Sequence, residues 1–152
     1  MADAHRDPIN TSGPGAITAI GFSHRLGPEE LGTKHSGEIQ CVTDLKIMLA
    51  DPAIDVISVC SYPYQHARQV IAAAEAGKHL IIEKPLCRNL AEANEMIAAG
   101  KEHGVHLFYA EELCFAPKYV RTKALIDAGA VGDVYLVKQA EMHNGPHSEW
   151  FW

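Results

Sequence analysis

The sequence predicts an α/β protein built on a parallel sheet, and three observations carry that reading. Apolar runs at residues 55–60, 79–82 and 105–109 show almost no alternation of apolar and polar residues, as expected of strands covered on both faces. Segments with helical spacing separate them, at 64–76 and 90–103. The connections are short, so each strand–helix–strand unit is a right-handed crossover between parallel strands.

Residues 1–15 are rich in glycine, proline and small polar groups and read as a flexible tail. Order is expected to begin with a short β-like run over 16–22. Pro28-Glu29-Glu30-Leu31 reads as a helix first turn, with proline early and acids at the positive end of the dipole. Thr43-Asp44 opens a short helix through Leu45, Met48 and Leu49, which Asp51-Pro52 stops. In the helix over 64–76, Ala67, Val70, Ile71 and Ala74 share a face, and Gly77 ends it. In the next, Leu90, Ala93, Met96 and Ile97 form the stripe, and Gly104 ends it. A last helix runs through Val120, Ala124 and Ile126 to Gly129. Residues 133–140 alternate more and read as a strand of a different, half-exposed sheet.

Composition narrows the function. The net charge of −6 provides no basic surplus for phosphate neutralisation, which argues against a general nucleic-acid binder. No apolar stretch approaches the length of a membrane span, and residues 1–15 lack the apolar segment of a signal peptide, so the cytoplasm is the expected location. The four cysteines, at 41, 60, 87 and 114, have no Cys-x-x-Cys spacing and read as reduced, mostly buried thiols. Cys60 and Cys114 are read as core thiols. Lys78 is read as part of a solvated face.

Ligands of open parallel sheets bind beyond the carboxyl ends of the strands. Three such ends are visible: Ser61-Tyr62-Pro63-Tyr64, Glu83-Lys84-Pro85 and Ala110-Glu111-Glu112. Glu83 and Lys84 are neighbours on extended backbone, so their side chains diverge, and Pro85 keeps Lys84 extended. A lysine held at a crevice can hydrogen-bond a substrate hydroxyl and assist proton transfer; the plain alternative is a solvated lysine beside a loop proline. The turn at Ser61-Tyr62-Pro63, with His66 and Arg68 opening the following helix, could lie along the ribose and phosphates of a cofactor, or simply cap and decorate the helix. His143 and His147 are four apart, but Gly145-Pro146 between them breaks the helix that a metal pair would need, so no metal site is expected. No Gly-x-Gly-x-x-Gly follows a strand.

Three segments carry a resemblance. Residues 49–56 (Leu-Ala-Asp-Pro-Ala-Ile-Asp-Val), Ala76-Gly77-Lys78-His79 leading into Glu83-Lys84-Pro85-Leu86, and residues 125–133, in this order and spacing, resemble the Gfo/Idh/MocA oxidoreductases. The resemblance covers 51–152, with 16–50 matching more loosely. It implies a partial Rossmann-type parallel sheet with helices on both faces, plus the first strand of a C-terminal α/β domain. The implied domains are 16–131 for dinucleotide binding, without the first βα unit, and 132–152 for the start of the substrate and oligomerisation domain. The chain is therefore expected to be truncated at both ends relative to the family and inactive in isolation.

The implied activity is NAD- or NADP-dependent hydride transfer at a hydroxyl of a sugar, polyol or related compound. Lys84 takes the catalytic or substrate-orienting place. Ser61, Tyr62, Pro63, His66, Glu83 and Lys84 line the cofactor; Ser23 and Arg25, where an acid is common in the family, favour the 2′-phosphate of NADP. Glu111 and His147 fall on the substrate side. Full-length relatives are implied to be homo-oligomers. The competing reading is a degenerate nucleotide-binding or scaffold module without hydride transfer.

Overall fold

The computed structural model describes residues 15–21, 39–140 and 142. The expected first turn at Pro28–Leu31 and the predicted site residues Ser23, Arg25 and His147 lie outside them. The chain divides into two units, Met1–Glu111 and Glu112–Trp152.

In the first unit, β1 (Ala19–Gly21) and β2 (Gln40–Val42) form a parallel pair. Helix α1 (Leu45–Ala50) follows, with the Asp44 carboxylate accepting from the Lys46 N–H at its amino end. Then come β3 (Val56–Val59), α2 (Pro63–Glu75), β4 (His79–Glu83), α3 (Leu90–Glu102) and β5 (Leu107–Ala110). The three strands form a separate parallel sheet in the order β3-β4-β5, with Ile57 opposite Leu80 and Leu80 opposite Leu107. β2 was not anticipated; three residues are too few to leave a periodic signal.

Helix α2 forms because Pro63 suits its first position and because His66, Val70, Ala73 and Ala74 repeat at the spacing of one face, all four buried. It ends at Gly77, whose φ of 73° is the left-handed conformation that glycine adopts without a Cβ penalty. The Gly77 N–H reaches Ala74 O, and the Lys78 N–H reaches Ala73 O, turning the chain directly into β4. Helix α3 starts at Asn89, whose side chain accepts from the Glu92 N–H at 3.0 Å. Gly100 lets α3 approach β5 closely, since a Cβ there would stand 2.0 Å from Leu107 Cδ1.

The core lies between the sheet and these two helices. It joins Ile57 and Val59 of β3, Leu80 and Ile82 of β4, Val70, Ala73 and Ala74 of α2, and Met96 of α3. Both crossover helices cover the same face. Among the described residues, Val56 and Phe108 on the other face of this three-stranded sheet are 47% and 57% exposed. Two successive right-handed crossovers that advance in one direction along a sheet put both helices on one side.

Lys78 corrects another expectation. It is 8% exposed, and its ammonium donates to Asp51 O at 2.7 Å and Ile54 O at 2.8 Å. The aliphatic stem crosses the amino end of the sheet and the charged head closes the loop before β3.

In the second unit a 3-10 turn (Glu112–Phe115) precedes α4 (Pro117–Asp127). Residues 134–140 form no strand, contrary to expectation. Alternation alone does not make a strand, because its N–H and C=O groups need a partner, and none pairs with them among the described residues. Instead Gln139 Nε2 donates to the Tyr119 hydroxyl on α4 at 2.6 Å. No helix among the described residues is long and apolar enough to cross a membrane.

Candidate functional site

The parallel order places the ends of β3, β4 and β5 side by side, so the three segments singled out from sequence meet at one edge of one sheet. Past β3, Cys60 and Ser61 are half-buried. Ser61 Oγ donates to Gln69 Oε1 at 2.5 Å, and Gln69 Nε2 donates to Gln65 Oε1 at 3.1 Å. The serine side chain is thus turned onto α2. Tyr62 is 66% exposed and stacks on Tyr64 with ring centroids 6.0 Å apart. Pro63 is half-buried at the head of α2. His66 is fully buried, with Nε2 2.9 Å from Ser61 O and Nδ1 3.1 Å from Leu86 O.

At the end of β4, Glu83 is buried and its carboxylate accepts from the Lys84 backbone N–H at 2.7 Å. Lys84 is half-buried and joined to Pro85 by a cis peptide. Glu83 also acts on its neighbour strand. Burial pushes the Cys60 thiol above its ordinary pKa, the hydrogen bond between it and Ser58 opposes this, and the Glu83 charge raises it further. Cys60 therefore stays a thiol at neutral pH. Cys114 is exposed, not a core thiol as expected, while Cys41, Cys60 and Cys87 are half-buried. Cys114 lies in the short 3-10 turn Glu112–Phe115, none of whose residues is buried.

After β5, Glu111 is half-buried and accepts from the Tyr109 hydroxyl at 3.2 Å. Partial burial and this hydrogen bond raise the Tyr109 pKa, with the Glu111 charge adding to them; the Leu86 backbone and the Lys84 charge oppose the rise. Tyr109 was missed in the sequence reading, although Tyr109 and Glu111 are two apart and point to the same side of a strand. A cleft of about 130 Å³ beneath is lined by Ile82, Leu86, Ala93, Met96, Ile97, Leu107 and Tyr109. Its lining carries no charged side chain. A hollow of about 350 Å³ in the second unit, lined by Leu125, Val131, Tyr135 and neighbours, contains none of the predicted site residues.

The edge therefore gathers Ser61, Tyr62, Pro63, Glu83, Lys84 and Glu111. Its exposed groups include an aromatic turn at a helix N-terminus, suited to a ribose or nicotinamide. Lys84, whose charge acts on Tyr109, could hold a hydroxyl and exchange its proton. Among the described residues no three His, Cys, Asp or Glu side chains gather as a metal site would need.

Comparison with known proteins gives a consistent result. Residues 1–111 match the family model Gfo/Idh/MocA, described as an oxidoreductase family with an NAD-binding Rossmann fold. The chain is 38% identical over 104 residues to the uncharacterised oxidoreductase YrbE of Bacillus subtilis, covering 68% of this chain and 30% of YrbE. It is 34% identical over 91 residues to myo-inositol 2-dehydrogenase of Thermotoga maritima, covering 60% of this chain and 27% of that enzyme. The crystal structure of scyllo-inositol dehydrogenase from Lactobacillus casei with bound NAD(H) and scyllo-inositol superposes with a TM-score of 0.74. At 24% identity it covers 86% of this chain and 39% of that one, a likeness of fold. The chain spans about a third of the length of the curated relatives it matches.

Proposed function

The chain belongs to the Gfo/Idh/MocA oxidoreductases, a family with an NAD-binding Rossmann fold, and from that premise we propose that it carries the nicotinamide end of a sugar- or polyol-oxidising site centred on Lys84. The observation that supports this most directly is the convergence of Lys84, Glu83, the Ser61–Pro63 turn and Glu111 at one sheet edge. In this reading residues 16–131 belong to the dinucleotide-binding domain and 132–152 open the substrate domain.

The residues present fit one end of the cofactor. Tyr62 and Pro63, at the head of α2, are placed for the ribose, with Ser61 behind them held onto Gln69. Glu83 faces the nicotinamide side. The glycine fingerprint that would cradle the pyrophosphate does not occur in the 152 residues. A bound nicotinamide supplies the hydride acceptor. Lys84 Nζ holds the substrate hydroxyl and exchanges its proton at that atom, and Glu111 orients a neighbouring hydroxyl. The Ser23-His24-Arg25 segment favours NADP over NAD. Myo-inositol 2-dehydrogenase and D-xylose dehydrogenase among the relatives point to a polyhydroxylated substrate.

A second reading is a nucleotide-binding or scaffold module without turnover. Saturation-transfer NMR on the 152-residue chain distinguishes them from an unrelated surface. Weak binding is expected, stronger for NADPH than NADH, with transfer to nicotinamide and ribose protons that falls in Lys84→Ala. Equal transfer in both proteins, or none in either, overturns the assignment to Lys84. Micromolar affinity overturns the expectation that the isolated chain binds poorly.

A further inference from the structure

The ends of β3 and β4 are bridged by one imidazole. His66 lies on the first turn of α2 with no exposed surface. Its Nε2 stands 2.9 Å from Ser61 O, five residues back, and its Nδ1 3.1 Å from Leu86 O, twenty residues on. Both partners are carbonyl oxygens and can only accept. A neutral ring donates to one of them, and a doubly protonated ring to both. In either state both ring nitrogens face protein, and none faces a crevice.

We propose that His66 is a positioning residue that keeps the Ser61 turn and the Lys84-Pro85-Leu86 segment in register, and that it does not contact the cofactor as the sequence suggested. Two further ties agree with this. Ser61 is held on its other side by Gln69, and the Leu86 segment runs on to Asn89, which caps α3. With His66 between them, neither loop shifts without the other, so Lys84 and the Tyr62 turn present themselves to the crevice together. The functional meaning rests on the cofactor reading above, whereas the coupling itself is a property of the chain without nucleotide.

Hydrogen-exchange mass spectrometry on the nucleotide-free 152-residue chain tests the coupling, reading residues 60–64, 84–88 and, as an internal reference, 79–83. An asparagine amide reaches the position of Nδ1, and a glutamine amide that of Nε2. His66→Asn is expected to speed exchange about tenfold in 60–64 while sparing 84–88. His66→Gln should do the reverse, and His66→Leu should release both loops. The reference strand should stay protected throughout.

Equal loosening of both loops in the Asn and Gln variants, or no change in either, overturns the proposal. So does loss of protection in β4 or of cooperative folding in those two variants, because His66 would then support the whole sheet. If His66→Leu does not fold, the Asn and Gln pair decides the matter. Absence of nucleotide binding would sink the cofactor reading and leave these exchange patterns intact.

Discussion

At the amino end of the three-stranded sheet a buried lysine closes a loop, and at the carboxyl end a buried histidine joins two. Lys78 donates to Asp51 O and Ile54 O; His66 faces Ser61 O and Leu86 O. Each end thus solves one problem, satisfying loop carbonyls beside a core, with a single nitrogen-bearing side chain. The ends differ in what remains. Lys78 uses its charged head on the loop before β3, whereas Glu83, Lys84, Tyr62 and Glu111 stand around the struts of the carboxyl end. The difference teaches that two lysines six residues apart, both inside segments that carry the family resemblance, stand at opposite ends of the sheet in different surroundings. Lys78 ties the loop before β3 at the amino end of the sheet, whereas Lys84 stands at the carboxyl end between Glu83 and the cis peptide to Pro85.

The sharpest way to break this comparison is to change both lysines alike. Lys78→Met keeps the stem and removes two hydrogen bonds from a charged donor, and should lower stability by about 2–4 kcal/mol in chemical denaturation. Lys84→Met removes neither of these two bonds and should cost less than Lys78→Met in the same measurement. Equal losses would erase the distinction.

A smaller effect concerns the thiol beside Glu83. Because Cys60 is half-buried and its pKa raised, iodoacetamide at pH 8 should alkylate it about tenfold more slowly than exposed Cys114, as mass spectrometry would show. The same shift has a stability sign. A raised folded pKa means that the native state holds the proton more tightly, so the contribution is complete below the unfolded thiol pKa. It is lost as pH rises through the folded value. Cys60→Ala should therefore flatten the fall in stability above about pH 9; an unchanged slope would mean that folding does not raise the Cys60 pKa.

The smallest effect sharpens the carboxyl end alone. Asn89→Ala should cost about 1 kcal/mol through loss of the α3 cap, measured by denaturation. A cost near zero would remove Asn89 as an anchor of the segment leading from Lys84.

Much of the fold was legible because its signals are local. The helices expected at 64–76 and 90–103 form at Pro63–Glu75 and Leu90–Glu102, since apolar spacing and terminal glycines lie within one stretch of chain. The strands could be read for the same reason, and their parallel order followed from crossover handedness, which placed Glu83-Lys84-Pro85 and Glu111 at one edge. The two struts were not legible. Lys78 meets carbonyls 24 and 27 residues away, and one of the two partners of His66 is 20 away; no spacing along the chain announces such pairs. The strand expected at 133–140 failed for the converse reason, because its pattern was local but pairing is not.

The close approach of α3 to β5 has a consequence for how the lineage can vary. A methyl group at position 100 would meet Leu107 at 2.0 Å, two residues before Tyr109 and on the same side of the strand. A larger residue at 100 is tolerated only when 107 shrinks or turns away. A substitution at 100 therefore calls for a compensating one at 107, and a change at one without the other would push on the strand that carries Tyr109.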